Sequence, residues 1–224
     1  MSVMAYVKTY ESIEDALAAT VRKEKEHILI QHKLTKGEAI GEHFHPAVDE
    51  WLILSSGRYD IRVDFENVAV PQEGVSVVHF PKGYVHGLTC LEGGSYFVVR
   101  EGRDETFYLK DILKTRARVK PVNDTCGTLW ELYNEGDLSV AYDVVTGTAG
   151  KHKHRILREK YRVEKGAGRL AIGNRIRDIK KGDVITIPRN IWHQLIKGKG
   201  KLEVLVITHP KYDSHDQILA GDKT

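Results

Sequence analysis

The chain has 224 residues, 41% of them hydrophobic and 29% charged, and its net charge is only +3. These values are typical of a globular protein that forms one large domain or two small ones, each with its own core. Two cysteines make no disulfide framework, no stretch is long and apolar enough to span a membrane, and the N-terminus has no secretory apolar segment, so we expect a cytoplasmic protein without a membrane partner.

The first half of the chain is predicted to be one helix followed by β-strands. Ser12 and Asp15 fit a capping box, which predicts a short helix over residues 12–22. Glycine- and proline-containing turns separate the runs that follow. Among these turns, SSGR is expected to close a hairpin around Gly57, and LEGG is expected to separate two strands. The predicted strands cover residues 27–34, 50–56, 59–65, 75–80 and 96–101.

The second half repeats this organisation after a linker. Residues 106–115 are predicted to form one or two helical turns, and a polar, proline-containing linker follows at 115–122. We therefore predict domains 1–114 and 115–224. Many short strands at regular spacing indicate an all-β sandwich or barrel in each half, and the polar C-terminal segment is expected to lie against the surface or fray. The predicted strands cover residues 129–134, 138–145, 159–165, 169–173, 183–188 and 201–208.

Two histidine-containing stretches recur with the same internal spacing, about half a chain apart. Because strand side chains alternate between faces, two histidines two residues apart point the same way. The glutamate that follows each pair stands at the start of the next strand and can fold back toward them. The first stretch contains His43, His45, Glu50 and Gly57, and the second contains His152, His154, Glu159 and Gly166.

A third histidine is expected to reach each group from a later strand. His86 follows the proline-containing turn in FPKGYV, and His193 follows the corresponding turn in IPRNIW. Three imidazoles and one carboxylate suit a divalent first-row transition metal, with iron, manganese, zinc or nickel as candidates. Four protein ligands on an octahedral ion leave two positions for water, a chelating substrate or oxygen. We therefore predict two metal sites, formed by His43, His45, Glu50 and His86 and by His152, His154, Glu159 and His193.

These residues resemble the two sequence motifs of the cupin superfamily. The first motif, G-x5-H-x-H-x3,4-E-x6-G, is complete in the first half and lacks only its leading glycine in the second half, where Thr146 stands. In the second half Gly182, Pro188 and His193 keep the spacing of the second motif, G-x5-P-x-G-x2-H-x3-N, and Asn190 replaces its middle glycine. In the first half, Gly74 lies one residue before the position that the first glycine of this motif requires. Neither half has the final asparagine.

The resemblance covers about residues 30–100 and 130–208 and implies a bicupin. Its expected fold is all-β, with two tandem cupin-type, jelly-roll-like barrels, a short N-terminal helix and a short linker helix. Cupin barrels commonly pair through exposed edge strands, so the resemblance also implies a homodimer.

The resemblance implies several activities in which a small substrate chelates the metal through adjacent oxygens. We favour a sugar-type or hydroxy-acid substrate and isomerase, epimerase or lyase chemistry. A metal-dependent dioxygenase is the alternative, and a non-catalytic cupin that binds a small ligand is an alternative of another class. Glu50 and Glu159 are metal ligands in this interpretation, or catalytic bases if they are displaced from the metal.

Charge is unevenly distributed along the chain. Residues 1–114 contain 13 Lys/Arg and 18 Asp/Glu, whereas residues 115–224 contain 21 and 13. The basic second half is compatible with an anionic substrate, with attraction between the two halves, or with basic side chains that cover an outer sheet face. No nucleic-acid-binding signature accompanies this charge, so we expect no nucleic-acid partner.

Overall fold

The structure is a computed structural model that describes residues 7–21, 26–102, 105–124 and 126–221. The chain divides into two compact units, unit 1 over Met1–Lys110 and unit 2 over Asp111–Thr224. The division from the sequence, at 114/115, stays a prediction. The predicted all-β fold is confirmed, since the described residues form β-sheets with only two α-helices. Neither helix has the length and apolar character needed to cross a membrane.

Unit 1 is built around one sheet with a single covering helix. Its sheet runs in the order β1-β6-β4-β7-β3-β8, with β2 also paired to β7 and β5 to β4. The elements, in chain order, are β1 Val7–Tyr10, α1 Ile13–Thr20, β2 His27–Leu34, β3 Ala39–Phe44, β4 Glu50–Val63, β5 Glu66–Val68, β6 Val75–Phe80, β7 His86–Glu101 and β8 Phe107–Tyr108.

Two long strands, β4 and β7, pair with each other along most of their lengths. The pairing runs from Glu50 opposite Arg100 to Val63 opposite His86, with register shifts near Ser56. The predicted hairpin at Gly57 and the predicted turn at LEGG are therefore wrong, because both segments continue inside these strands. Gly57 does adopt a positive φ of 88°, but it serves a bulge that bends the strand rather than a turn.

Alternation along β4 explains how its apolar run is buried on both faces. Leu52 packs into a core cluster with Phe80 and Val98 on one face. Its neighbour Ile53 packs with Ala16 of α1 on the other face. Helix α1 begins after Ser12, whose hydroxyl accepts a hydrogen bond from the Asp15 backbone N–H at 3.1 Å, as the capping box predicts.

The strands of unit 2 form two sheets, whereas those of unit 1 form one. The first sheet has the order β16-β13-β18-β11-β10-β9 and the second β15-β14-β17-β12-β19. The elements, in chain order, are α2 Leu109–Thr115, which begins at the end of unit 1, then β9 Val122–Asp124, β10 Gly127–Glu135, β11 Leu138–Val145, β12 His152–His154, β13 Arg158–Lys165, β14 Ala167–Ile172, β15 Arg175–Lys180, β16 Val184–Ile187, β17 His193–Lys197, β18 Leu202–His209, a 3-10 turn Ser214–Asp216 and β19 Gln217–Leu219.

The chain passes from the first sheet of unit 2 to the second at Gly166. This residue has a φ of +80°, and a Cβ there would lie 2.1 Å from the backbone oxygen of Lys201. Only glycine fits both conditions. A core cluster that includes Tyr161, Leu170 and Leu195 joins residues of the two sheets.

Replacing Gly166 with alanine is expected to lower the free energy of unfolding by about 3 kcal/mol, because it combines an unfavourable φ with a backbone clash. Gly173 is a matched control, since its φ is +56° but a Cβ there would have no atom within 4 Å. For Gly173→Ala we expect a loss of only about 1 kcal/mol. Urea denaturation followed by circular dichroism measures both, and equal losses would contradict the proposed clash.

Candidate metal centres

The first centre gathers its residues from β3, β4, β7 and the segment that follows β3. His43 lies directly opposite His86 in the β3–β7 ladder, and their ring centroids are 4.3 Å apart. His45 follows the end of β3, and its Nε2 lies 3.1 Å from Oε2 of Glu50, the first residue of β4. His86 Nε2 lies 3.3 Å from Glu50 Oε1. All four side chains are buried.

The second centre has the same construction in unit 2. His152 of β12 lies opposite His193, the first residue of β17, with ring centroids 4.2 Å apart. Glu159 of β13 places Oε2 at 2.7 Å from His193 Nε2 and Oε1 at 3.6 Å from His154 Nε2. The structure thus brings the eight predicted residues together in two sets of four.

Backbone carbonyls orient most of the imidazoles. Nδ1 of His43 lies 2.8 Å from the Gly41 oxygen, and Nδ1 of His152 lies 2.8 Å from the Gly150 oxygen. Donation from Nδ1–H to these carbonyls leaves the lone pair on Nε2, which is the tautomer that a metal ligand needs. Equivalent contacts join His86 to Tyr84 and His193 to Ile191.

One turn in each unit delivers the third histidine. The N–H of Gly83 donates to the His45 carbonyl at 2.7 Å, and the N–H of Asn190 donates to the His154 carbonyl at 2.7 Å. Both residues have positive φ, 77° for Gly83 and 61° for Asn190. Asparagine tolerates this conformation, so its substitution for glycine keeps the turn.

The donor atoms of the two centres fit a metal ion. Within each set the donor atoms lie within 4.8 Å of one another. The buried Nε2 atoms of His45, His86 and His193 form no hydrogen bond with any described residue, although each lies near a glutamate oxygen. Each lone pair therefore lacks the aligned donor that a buried acceptor requires. A divalent transition metal at the common point would satisfy them, so each set could hold one ion.

The protonation states of His43 and Glu50 also suit metal binding at the first centre. Burial, and then the nearby charge of His86, lowers the pKa of His43 to about 3, so this imidazole is neutral at physiological pH. Burial alone would raise the pKa of Glu50, but the imidazoles of His45 and His86 outweigh it and hold that pKa well below its usual range. A neutral imidazole beside an ionised carboxylate is the combination that binds a metal ion.

The carboxylates of the two centres have different additional partners. Arg100 Nε donates to Glu50 Oε2 at 2.7 Å in the first centre. The Tyr161 hydroxyl donates to Glu159 Oε2 at 3.3 Å in the second. Neither partner was predicted from the sequence, because each belongs to no motif and reaches the site through strand pairing or strand alternation.

A cavity of about 110 Å³ adjoins the first centre. Its wall includes His43, Glu50 and His86 together with Arg100 and Tyr96. His32 of β2 also lines this cavity and stacks on Tyr96 at a centroid distance of 5.2 Å. The remaining wall is largely apolar, with Thr106 and Tyr108 as its hydroxyl-bearing residues, and is completed by Ile40, Leu52, Phe80, Gly87, Leu88 and Val98.

The C-terminal segment of unit 2 is part of the second centre's support. Strand β19 pairs with β12, so that Leu219 lies opposite His152. Before it, the buried Asp216 accepts hydrogen bonds from the backbone N–H groups of Arg155, Ile156 and Leu157 at 3.0, 2.8 and 2.9 Å. The segment lies at the surface, as expected, and up to residue 221 it is ordered, because it pairs with β12 and supports the loop at 155–157.

Comparison with known proteins identifies one domain family. Residues 140–208 match the family described as "Cupin domain". No curated protein matches the chain.

Several solved structures are similar at low sequence identity. An oxalate decarboxylase from Lactobacillus farciminis, in a formate complex, is 16% identical over 96% of this chain and 86% of its own, with a TM-score of 0.43. An oxalate decarboxylase from Bacillus subtilis is 14% identical over 87% of this chain and 70% of its own, with a TM-score of 0.43. A protein from Planctomyces limnophilus is 23% identical over 45% of this chain and 90% of its own, with a TM-score of 0.41.

Proposed function

Because residues 140–208 match the cupin domain family and unit 1 repeats the same set of four donor residues, we propose that this chain is a bicupin and a metal-dependent enzyme that acts on a small, oxygen-chelating substrate. The reaction class that we favour is isomerase, epimerase or lyase chemistry on a hydroxy acid or a sugar-type molecule. The cavity beside the first centre carries this proposal, because a closed structural ion would need no space beside it.

The roles of the residues follow from their geometry. His43, His45 and His86, with Glu50, would hold the ion of the first centre, and His152, His154 and His193, with Glu159, would hold that of the second. When bound, a divalent ion would polarise the oxygens of a substrate that coordinates it. Tyr96, Phe80 and the other cavity residues would exclude bulk water, which strengthens electrostatic interactions inside the site.

Glu50 serves better as a ligand than as a free base. Its pKa is held well below the usual range, so that it is ionised, yet its oxygens already face two imidazoles and Arg100. A low pKa makes a weak base. The alternative role as a catalytic base requires Glu50 to leave these partners, and the same holds for Glu159 beside His193 and Tyr161.

A metal-dependent dioxygenase is the second candidate. The apolar part of the cavity wall favours it, since residues such as Leu52, Leu88 and Val98 would accept dioxygen and disfavour water. A non-catalytic ligand-binding protein would use the same donor atoms, so only turnover separates it from the enzyme. The cytoplasmic location, the homodimer and the absence of a nucleic-acid partner stay predictions.

The test is an activity screen of protein loaded with manganese, iron, zinc or nickel. Hydroxy acids and sugars are supplied as substrates, products are followed by mass spectrometry, and oxygen uptake is recorded in parallel. We expect turnover that a chelator abolishes and added metal restores. Oxygen consumption matched to product would support the dioxygenase, and binding without product across the panel would support the non-catalytic alternative.

A further inference from the structure

The two metal centres differ at one equivalent position of their strand ladders. Glu50 pairs with Arg100 in the β4–β7 ladder. Glu159 pairs with Thr208 in the corresponding β13–β18 ladder. Directly opposed residues in an antiparallel pair share a face of the sheet, so each glutamate has its partner beside it. An arginine in one unit thus takes the place of a threonine in the other.

Arg100 is placed to serve a ligand as well as Glu50. Its side chain is 19% exposed and lines the cavity beside His43 and His86. It meets Glu50 through Nε, and within the described part of the chain no other side chain forms an ion pair with it. The two Nη groups remain for a ligand in the cavity, and a guanidinium matches the geometry of a carboxylate.

Thr208 offers no such group in the second centre. It is buried, and its hydroxyl is hydrogen-bonded to that of Ser139 at 2.7 Å. The residue two positions after the glutamate also differs between the centres. It is Leu52 in the first centre and Tyr161 in the second. Its larger side chain is buried, and its hydroxyl bonds the glutamate. The second centre therefore has a bulkier side chain beside its glutamate and has no cationic side chain at the position equivalent to Arg100.

The charge balance separates the centres further. In the first centre the positive charge of Arg100 cancels the negative charge of Glu50, so a bound dication would keep its full charge toward a ligand. In the second centre Glu159 offsets part of that charge, and among the described residues no arginine forms an ion pair with it. Because opposite charges attract more strongly where water is scarce, an anion would be favoured at the first centre.

The size of the cavity limits the ligand. About 110 Å³ is well below the 300 Å³ or more of a site for a drug-sized molecule. A carboxylate for Arg100 and a neighbouring oxygen for the metal can be supplied by a molecule of only a few carbon atoms. We propose that Arg100 anchors the carboxylate of a small 2-hydroxy or 2-oxo acid at the first centre, and that the second centre does not bind this ligand. This inference rests on the proposed function.

Binding measurements with glycolate and pyruvate test the inference without requiring turnover. His152→Ala protein, loaded with cobalt(II), isolates the first centre, and ligand binding is read from the cobalt absorption spectrum. Metal content is measured for every sample. We expect Arg100→Met in this background to retain the ion and to weaken binding of both acids roughly 10- to 100-fold, the loss of one charge-assisted contact. Glycolamide, which lacks the carboxylate charge, is expected to bind equally weakly to both proteins.

Two further variants sharpen the result. Arg100→Lys keeps the charge and is expected to recover part of the affinity, whereas Thr208→Val in the same background should leave it unchanged. Wild-type affinity in Arg100→Met, tight glycolamide binding, or failure of both acids to bind the metal-loaded first centre would overturn the inference. The same spectra of His43→Ala protein, which isolates the second centre, would overturn it if the acids bound there. Absence of metal from every sample would instead contradict the proposed function.

Discussion

Replacing His43 with alanine is expected to remove the ion of the first centre and leave the second loaded, and His152→Ala is expected to do the reverse. Each change removes one of four convergent donor atoms. Loss of an outer hydrogen-bond partner already costs roughly 10- to 100-fold in metal affinity, and loss of a direct ligand should cost more. The protein is purified without a histidine tag, dialysed, and analysed for metal by mass spectrometry.

An exposed histidine provides the control for this experiment. The His215 side chain is 93% exposed and lies outside both sets, so His215→Ala should leave the metal content unchanged. We expect two ions in the wild type and in this control, and one in each ligand variant. Retention of both ions by His43→Ala would contradict the assignment of the first centre, and loss of both from either variant would contradict independence of the two.

The ligand residues could be predicted because their spacing is local. His43, His45 and Glu50 fall within eight residues, so strand alternation and one turn bring them together. His86 lies far beyond Glu50 in the chain, and its placement depended on a proline-containing turn that recurs in both halves and on the resemblance to a known motif. Its position opposite His43 depends on the register of β3 against β7, which contains a shift between Ile40 and His43. Spacing alone does not specify such a shift.

The continuity of β4 and β7 could not be predicted for a related reason. A glycine with positive φ is compatible with both a turn and a bulge, so Gly57 is ambiguous in the sequence. The pairing partner decides between them. A Cβ on Gly57 would lie 2.7 Å from the Gly94 Cα, so the two strands approach closely at the bend, and their ladder resumes on both sides of it.

Arg100 could not be singled out from the distribution of charge along the chain. The excess of basic residues lies in the second half, where an anionic ligand is one explanation. The arginine beside a metal centre instead belongs to the acidic first half, 14 residues after His86 and outside any motif. Arg155, in the basic half, is exposed, and its Nη2 donates to the His215 carbonyl at 3.4 Å. The strand register determines which charged residue lies beside a site, and the net charge of each half does not.

Replacing Asp216 with asparagine is expected to weaken metal binding at the second centre. The carboxylate accepts three backbone N–H groups from residues 155–157, the loop that joins His154 to Glu159. Its Oδ2 also lies 3.9 Å from Nδ1 of His154, which forms no hydrogen bond with any described residue. An amide has one acceptor oxygen instead of two, so the loop loses part of its support. We expect roughly 10- to 100-fold lower affinity.

Zinc affinity is measured by competition with a chelator. The measurement uses the His43→Ala background, in which only the second centre is expected to bind zinc. Asp213→Asn is the control, because Asp213 lies in the same segment but caps only the exposed His215. A purely structural role for Asp216 predicts lower stability, with a loss of about 1.5–3 kcal/mol for a weakened charged hydrogen bond, but an unchanged zinc affinity in the folded protein. A lower affinity in Asp216→Asn alone would show that the loop's position sets the distance between His154 and Glu159, and so ties the C-terminal segment to the second centre.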